Sequence, residues 1–109
     1  MKKVNYNLSV SERENILLQL RLLLPEVGFR KLEIMYYVWK YPTEYAQRML
    51  ADKMYASIPA IQATLVNLVN MELLDNKIEE GKKLKIVHPS ISKGLVNDSV
   101  QISLTLNQK

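Results

Sequence analysis

The 109-residue chain contains no cysteine, one histidine and three glycines. Without thiols it cannot form a disulfide, a thiolate zinc site or a thiol nucleophile, so the fold must be held by packing. Gly28, Gly81 and Gly94 are too far apart to form a phosphate-binding loop. His88 stands alone, and no motif places a pair of carboxylates, so neither general acid–base catalysis nor a transition-metal site is indicated. We therefore expect a protein without enzymatic activity and without a cofactor.

Long apolar runs are also lacking. The longest, in "NILLQLRLLL" and "IMYYVW", are too short to span a bilayer and do not follow the export-signal pattern. This predicts a cytoplasmic protein with no membrane partner. The net charge of +4 permits a polyanionic ligand without requiring one. The length and the 48% hydrophobic content fit one domain covering residues 1–109.

Both ends of the chain alternate apolar and polar residues with the period of a strand that has one apolar face. The alternating apolar residues are Val4, Tyr6, Leu8 and Val10 at one end, and Val100, Ile102, Leu104 and Leu106 at the other. A lone strand would leave its edges and its apolar face uncovered. We expect the two ends to pair antiparallel, within one subunit or swapped across a dimer. The alternative is a flexible tail after Ser92.

A leucine-rich helix is predicted from Glu12 to Leu24. Ser11 and Glu14 form a capping box, in which each side chain can satisfy a backbone N–H at the helix start. The apolar residues of this helix are Ile16, Leu17, Leu18, Leu20, Leu22, Leu23 and Leu24. They occupy more than one face, so the helix needs cover either from the rest of its own chain or from a second subunit.

Three further helices follow. The second runs from Phe29 to Tyr41, Thr43 caps the third, and Ser57 caps the fourth, which ends near Glu72. Apolar side chains at helical spacing, expected to face inward, are Leu32, Met35, Tyr36 and Trp39, then Ala46, Met49, Leu50 and Met54, then Ile61, Leu65, Leu68 and Val69.

A β-hairpin is predicted in "LLDNKIEEGKKLKIVH", with its turn at Gly81. Ile78, Leu84 and Ile86 are its expected inward residues. The segment "PSISKGLVND" after it is typical of a loop.

Residues 30–88 resemble a winged helix-turn-helix, closest in layout to the multiple-antibiotic-resistance-regulator type of bacterial repressor. The resemblance rests on Leu50 and Ala51, Met54 three positions after that alanine, Ser57 opening the next helix, Ile61 ten positions after the alanine, and "LVNMELLDNKIEEGKKLKIV" as helix end and wing. It implies a mainly α fold with small β. The single domain would comprise an N-terminal strand and leucine-rich helix (1–28), the winged core (29–88), and a loop and strand (89–109).

The chain departs from that family at two places. Tyr55 stands at the helix-turn-helix corner where the family often has glycine, and Met71 and Glu72 replace the usual lysine and glycine before the wing. The fourth helix, which in the family reads DNA, also presents an uncharged outer face. The predicted outer residues are Pro59, Ala60, Gln62, Ala63, Val66, Asn67 and Asn70.

The resemblance implies a small sequence-specific DNA-binding regulator of bacterial or phage type, such as a repressor. Predicted base contacts are Ser57, Ala60, Gln62, Ala63 and Asn67, because glutamine and asparagine can bind adenine and small apolar groups can contact thymine methyls. Such contacts favour an A·T-rich site. Predicted phosphate contacts are Arg30, Lys31, Arg48, Lys53, Lys77, Lys82, Lys83 and Lys85. A homodimer formed through the leucine-rich helix and the terminal strands is expected.

A protein partner is the alternative. An uncharged, partly apolar face that includes Pro59, Ala63 and Val66 can dock on another protein at a lower desolvation cost than a basic face. The chain would then be a winged-helix adaptor, such as an assembly factor, an antirepressor or a polymerase-binding protein. The lysines of the hairpin, with Glu79 and Glu80 beside them, would then form an ordinary solvated tip.

Overall fold

The computed structural model describes residues 4–9, 11–96 and 101–106, with side chains described for 11–96. In chain order its elements are β1 (Val4–Ser9), α1 (Glu12–Leu23), α2 (Phe29–Lys40), α3 (Ala46–Lys53), α4 (Ile58–Asn70), β2 (Leu74–Glu79), β3 (Lys82–Val87), α5 (Pro89–Ser92) and β4 (Gln101–Leu106). The protein is mainly helical, and its described strands form two small antiparallel sheets, β1 with β4 and β2 with β3. No helix in these ranges is long and apolar enough to cross a bilayer.

The core lies between α1, α2, α3 and α4 and the base of the β2–β3 hairpin. Its most enclosed side chains are Ile16, Leu20, Leu32, Ile34, Met35, Val38, Leu50, Ile61, Leu65, Leu68 and Leu74. Each such aliphatic side chain contributes about 1.5–3 kcal/mol by leaving water. The predicted inward positions of the three later helices are all buried or half-buried, so the period-3.6 pattern identified the core faces correctly.

The two ends of the chain pair with each other. β1 and β4 are antiparallel, in a register that runs from Val4 opposite Leu106 to Ser9 opposite Gln101. The predicted partnership of the ends is therefore confirmed, in its intrachain form. In this register apolar positions of one strand lie opposite apolar positions of the other, with Tyr6 opposite Leu104 and Leu8 opposite Ile102. Val10 and Val100 lie outside the described residues.

The predicted N-cap residues are correct for two helices and wrong for a third. Ser11 and Ser57 are the N-caps of α1 and α4, and each accepts a hydrogen bond from a backbone N–H in the first turn. The prediction that Thr43 caps α3 is wrong, because the cap is Tyr45 and it makes no side-chain cap bond. Residues 42–44 form a turn instead, in which the Glu44 N–H donates to the carbonyl of Tyr41.

The predicted loop after the hairpin contains the short helix α5. Pro89 opens this helix, and Nδ1 of His88 accepts the backbone N–H of Ser90 at 3.2 Å. His88 is thus a helix cap at the end of a strand. The predicted loop is wrong for these four residues.

Two non-glycine residues that flank α4 adopt the left-handed backbone region. Tyr55, at the α3–α4 corner, has a φ of 50°, and Glu72, after α4, has a φ of 60°. A side chain disfavours this region because its Cβ crowds the backbone. The chain therefore makes glycine-type turns here without glycine.

The β2–β3 hairpin turns at Glu80 and Gly81, as predicted, and both residues have positive φ, as a type I′ turn requires. Leu84 is buried and Ile86 is half-buried, but Ile78 is 73% exposed, so the prediction that Ile78 faces inward is wrong. The register explains the difference. Ile78 lies opposite Lys83 on one face of the hairpin, whereas Leu84 and Ile86 lie on the other face.

Polar contacts fasten α1 to α2 around their apolar seam. The Glu12 carboxylate accepts from the ammonium of Lys40 and from the hydroxyl of Tyr36, and Arg13 donates to Glu33 at 2.6 Å. Burial raises the pKa of Tyr36, so its hydroxyl keeps its proton. The hydrogen bond to Glu12 raises the pKa of Lys40. These contacts join α1 and α2 at the rim of their buried interface.

Candidate nucleic-acid interface

The outer face of α4 is exposed along its length. Ile61, Leu65 and Leu68 are buried, and this holds the opposite side of the helix toward solvent. The exposed residues are Pro59, Ala60, Gln62, Ala63, Val66, Asn67 and Asn70, as the sequence predicted. Ser57 is exposed at the start of the helix, and its Oγ accepts the backbone N–H of Ala60 at 3.4 Å. The segment Ile58–Asn70 contains no charged residue, so this face offers hydrogen bonds and apolar contacts only.

The hairpin sorts its charges by face. Residues directly opposite in an antiparallel pair project to the same side. Lys83 lies opposite Ile78, and Lys85 lies opposite Asn76, which places both lysines on a face without a carboxylate. The other face holds Asp75, Lys77, Glu79 and Lys82. Only this second face combines charges of both signs.

The carboxylate-free face of the hairpin borders the helices. Lys83 and Lys85 line a cleft of about 120 Å³ together with Tyr45 and Gln47 at the start of α3 and Leu65 of α4. The Lys85 ammonium donates to Oδ1 of Asn76, which holds the lysine along the sheet. Among the described residues, no ion pair involves Lys83 or Lys85. Both positive charges are therefore available to an anion at this cleft.

Two other predicted phosphate contacts share a more mixed environment. Arg48 and Lys82 line one open depression beside α3, but Glu44 and Asp52 line it too. These carboxylates offset part of the positive potential. Lys53 is the last residue of α3, and its ammonium lies 5.0 Å from the centre of the Tyr41 ring, a cation–π distance.

The remaining predicted cations are not gathered at the cleft. The Lys77 ammonium is 3.5 Å from a carboxylate oxygen of Glu79 on the mixed face of the hairpin. Arg30 and Lys31 lie in the first turn of α2, roughly 15 Å along the helix axis from Tyr41 at its end. The geometry thus brings Lys83 and Lys85 next to α4 and spreads the other six cations around the surface.

Sequence reasoning missed two polar residues of the cleft, Tyr45 and Gln47. The hydroxyl of Tyr45 donates to Oε1 of Gln47 at 3.2 Å, and Nε2 of Gln62 donates to the same oxygen at 3.0 Å. The sequence spacing could have identified Gln47 as a residue that faces α4. It precedes Ala51 by four residues, so both lie on one face of α3, the face that the resemblance turns toward α4.

No group of three histidine, cysteine, aspartate or glutamate side chains that could hold a metal ion occurs in the part of the chain whose side chains are described. Comparisons with protein-family models, curated proteins and solved structures gave no match to this chain.

Proposed function

We propose that this protein is a winged helix-turn-helix regulator that binds double-stranded DNA in the cytoplasm of a bacterium or a phage-infected cell. In this proposal α3 and α4 form the helix-turn-helix and the β2–β3 hairpin is the wing. The protein acts by binding, without catalysis and without a cofactor. Repression follows if its site overlaps a promoter.

One observation carries the proposal. The hairpin face that bears Lys83 and Lys85 and no carboxylate meets the start of α3 and Leu65 on the inner side of α4, and the outer side of α4 is exposed and uncharged. DNA presents a matching arrangement, with neutral base edges inside the groove and phosphates along its rim. A reading helix needs no charge of its own when its neighbour supplies the phosphate contacts.

The dimensions and chemistry of α4 suit the major groove. Its 13 residues span about 20 Å, and a groove about 12 Å wide admits a helix. Gln62 and Asn67 can each pair with adenine, and Ala60 and Ala63 can contact thymine methyls, while Ser57 lies at the end that enters first. These contacts together favour A·T-rich sequences.

The salt dependence of binding tests this proposal. An A·T-rich and a random duplex are titrated at several salt concentrations with the unmodified protein, Lys83→Ala, Lys85→Ala and the control Lys93→Ala. Each hairpin variant should weaken binding and lower the slope of log affinity against log salt by about one, because each lysine neutralises about one phosphate. Lys93 is exposed at the end of α5, beside α1, so its variant should keep the slope.

Equal slopes for all four proteins would contradict a phosphate contact at the hairpin. Affinity for DNA that is undetectable even at low salt would remove the proposed function.

We also propose that the protein is a homodimer, with α1 and the β1–β4 ribbon in its interface. Leu18 and Leu22 lie one helical turn apart on α1 and are both exposed, although the other side of that helix is buried. A two-stranded ribbon is marginal by itself in water. A second copy offers the same surfaces, as a two-fold interface requires.

A protein partner is the second candidate. The surface around α4 includes Tyr55, Ile58 and Val66, which are exposed large apolar or aromatic residues. Aromatic and apolar side chains at the centre of a patch favour protein docking. Such binding would respond little to salt and would not change in Lys83→Ala, which distinguishes it from DNA binding.

A further inference from the structure

We propose that Gln47 is a positioning residue that orients the amide of Gln62 for the recognition of adenine. This inference rests on the proposed function and assigns one of its specificity contacts. Gln47 itself would contact no base, since it lies on α3 and is half-buried, with its oxygen bonded to Gln62.

Two hydrogen bonds converge on one oxygen of Gln47. Its Oε1 accepts both the hydroxyl of Tyr45, at 3.2 Å, and Nε2 of Gln62, at 3.0 Å. A carbonyl oxygen has two lone pairs, so this oxygen is fully used. If the Gln62 amide rotated by half a turn, its own oxygen would face this oxygen, and two acceptors would meet with no proton between them.

The bond leaves Gln62 with a defined pair of free groups. A glutamine amide has two N–H donors and one acceptor oxygen, and Gln47 takes one donor. The remaining N–H and the Oε1 are the pair that adenine needs, because N7 of adenine accepts and its N6 amino group donates. Guanine presents two acceptors at the corresponding positions and satisfies only the donor. The orientation set by Gln47 thus favours adenine over guanine.

Restricting the Gln62 side chain before DNA binds also strengthens the preference for adenine. Gln62 is exposed on α4, and a free glutamine loses several rotatable bonds when it binds a base. The bond to Gln47 restricts those rotations in the unbound protein. A reading group supported by a neighbour in this way discriminates better than a free one.

Selection from a pool of random duplexes tests the inference. The experiment compares the unmodified protein with four variants: Gln62→Ala, Gln47→Leu, Gln47→Glu and the double variant Gln47→Leu/Gln62→Ala. Asn67→Ala is the control. Gln62→Ala should abolish the preference for adenine at one base pair. Gln47→Leu should reduce the same preference about 5–10-fold, part of the discrimination that one bidentate contact provides.

The remaining variants separate positioning from a merely structural role. Gln47→Glu keeps an acceptor oxygen and should retain the preference. The double variant should be no less selective at that base pair than Gln62→Ala alone, since Gln47 acts through Gln62. Asn67→Ala should alter a different base pair. Unfolding temperatures should be similar throughout, because Gln62 and Asn67 are exposed and Gln47 is only half-buried.

An unchanged adenine preference in Gln47→Leu would overturn the inference and leave the proposed function standing. The same holds if Gln62→Ala alters no base preference while the unmodified protein has one. If the unmodified protein enriches no sequence and binds no duplex, both the inference and the proposed function fail.

Discussion

At Tyr55 the backbone adopts a conformation that its side chain opposes. The residue has a φ of 50°, and its side chain is 97% exposed, so packing returns almost nothing for that conformation. A non-glycine residue in the left-handed region costs on the order of 1 kcal/mol. The corner between α3 and α4 is thus kept by the burial of the two helices and not by the residue that forms it.

Tyr55→Gly should therefore stabilise the protein. Removing the Cβ relieves the crowding, and the gain is reduced by the greater freedom of glycine in the unfolded chain. We expect the free energy of unfolding to rise by about 0.5–1 kcal/mol, which corresponds to an increase of roughly 2–6 °C in Tm, measured by thermal denaturation. Tyr55→Ala is the matched control, because it removes the ring and keeps the Cβ. An equal Tm for the glycine and alanine variants would show that the backbone is not crowded here.

On the scale of single elements, α1 has two apolar sides with different roles. Leu20 is fully enclosed by the core, whereas Leu22 is 75% exposed. Sequence composition predicted that this helix needs cover on more than one face. The core supplies that cover on one side, and the proposed dimer supplies it on the other.

The same substitution at these two leucines should give different results. Leu20→Ala leaves a cavity in the core and should lower the free energy of unfolding by about 2–5 kcal/mol in chemical denaturation. Leu22→Ala, measured at a concentration where the protein is monomeric, should change it by less than about 0.5 kcal/mol. Comparable losses in both variants would mean that Leu22 is covered within its own chain.

The elements that the sequence predicted correctly are those with a strong local signal. Period-3.6 spacing placed the inward residues of α2, α3 and α4, and Gly81 placed the turn of the hairpin. The prediction at Thr43 is wrong because the type of a residue does not by itself determine where a helix starts. The helix α3 starts at Ala46, which is also its first buried residue.

Three features of the hairpin and the cleft depend on contacts between separate segments of the chain, which local sequence patterns do not show. Ile78 was expected to face inward because it is apolar, but only the pairing register shows that it lies on the face opposite Leu84. The separation of Lys83 and Lys85 from the carboxylates depends on the same register. The contact between Gln47 and Gln62 joins two helices across 15 positions of the chain, and no periodicity within one helix predicts it.

As a whole, the molecule is elongated. Its principal extents are 60 × 26 × 23 Å, and its radius of gyration of 16.9 Å exceeds the roughly 13 Å of a compact domain of this length. The β1–β4 ribbon pairs only with itself among the described strands. An elongated chain that ends in a two-stranded ribbon has more surface to cover than a compact one, which supports association of two copies.

Truncation tests that association. The full chain should have twice its 12.6 kDa in light scattering coupled to size exclusion. Deleting residues 100–109 removes β4, leaves β1 without its partner, and should give a monomer or a less soluble protein. Leu22→Lys keeps the ribbon and should weaken the dimer through α1 alone. A truncated protein with unchanged mass, solubility and stability would exclude the ribbon from the interface.

The division of charge between α4 and β3 has a consequence for how such a protein can evolve. Neutral residues of one segment would choose the binding site, and lysines of another would set how firmly it is held. A descendant could recognise a new DNA sequence through substitutions at a few positions in 58–70 and keep the phosphate contacts that supply its affinity. It could equally adapt to a saltier cytoplasm through residues 82–85 alone, with its target unchanged.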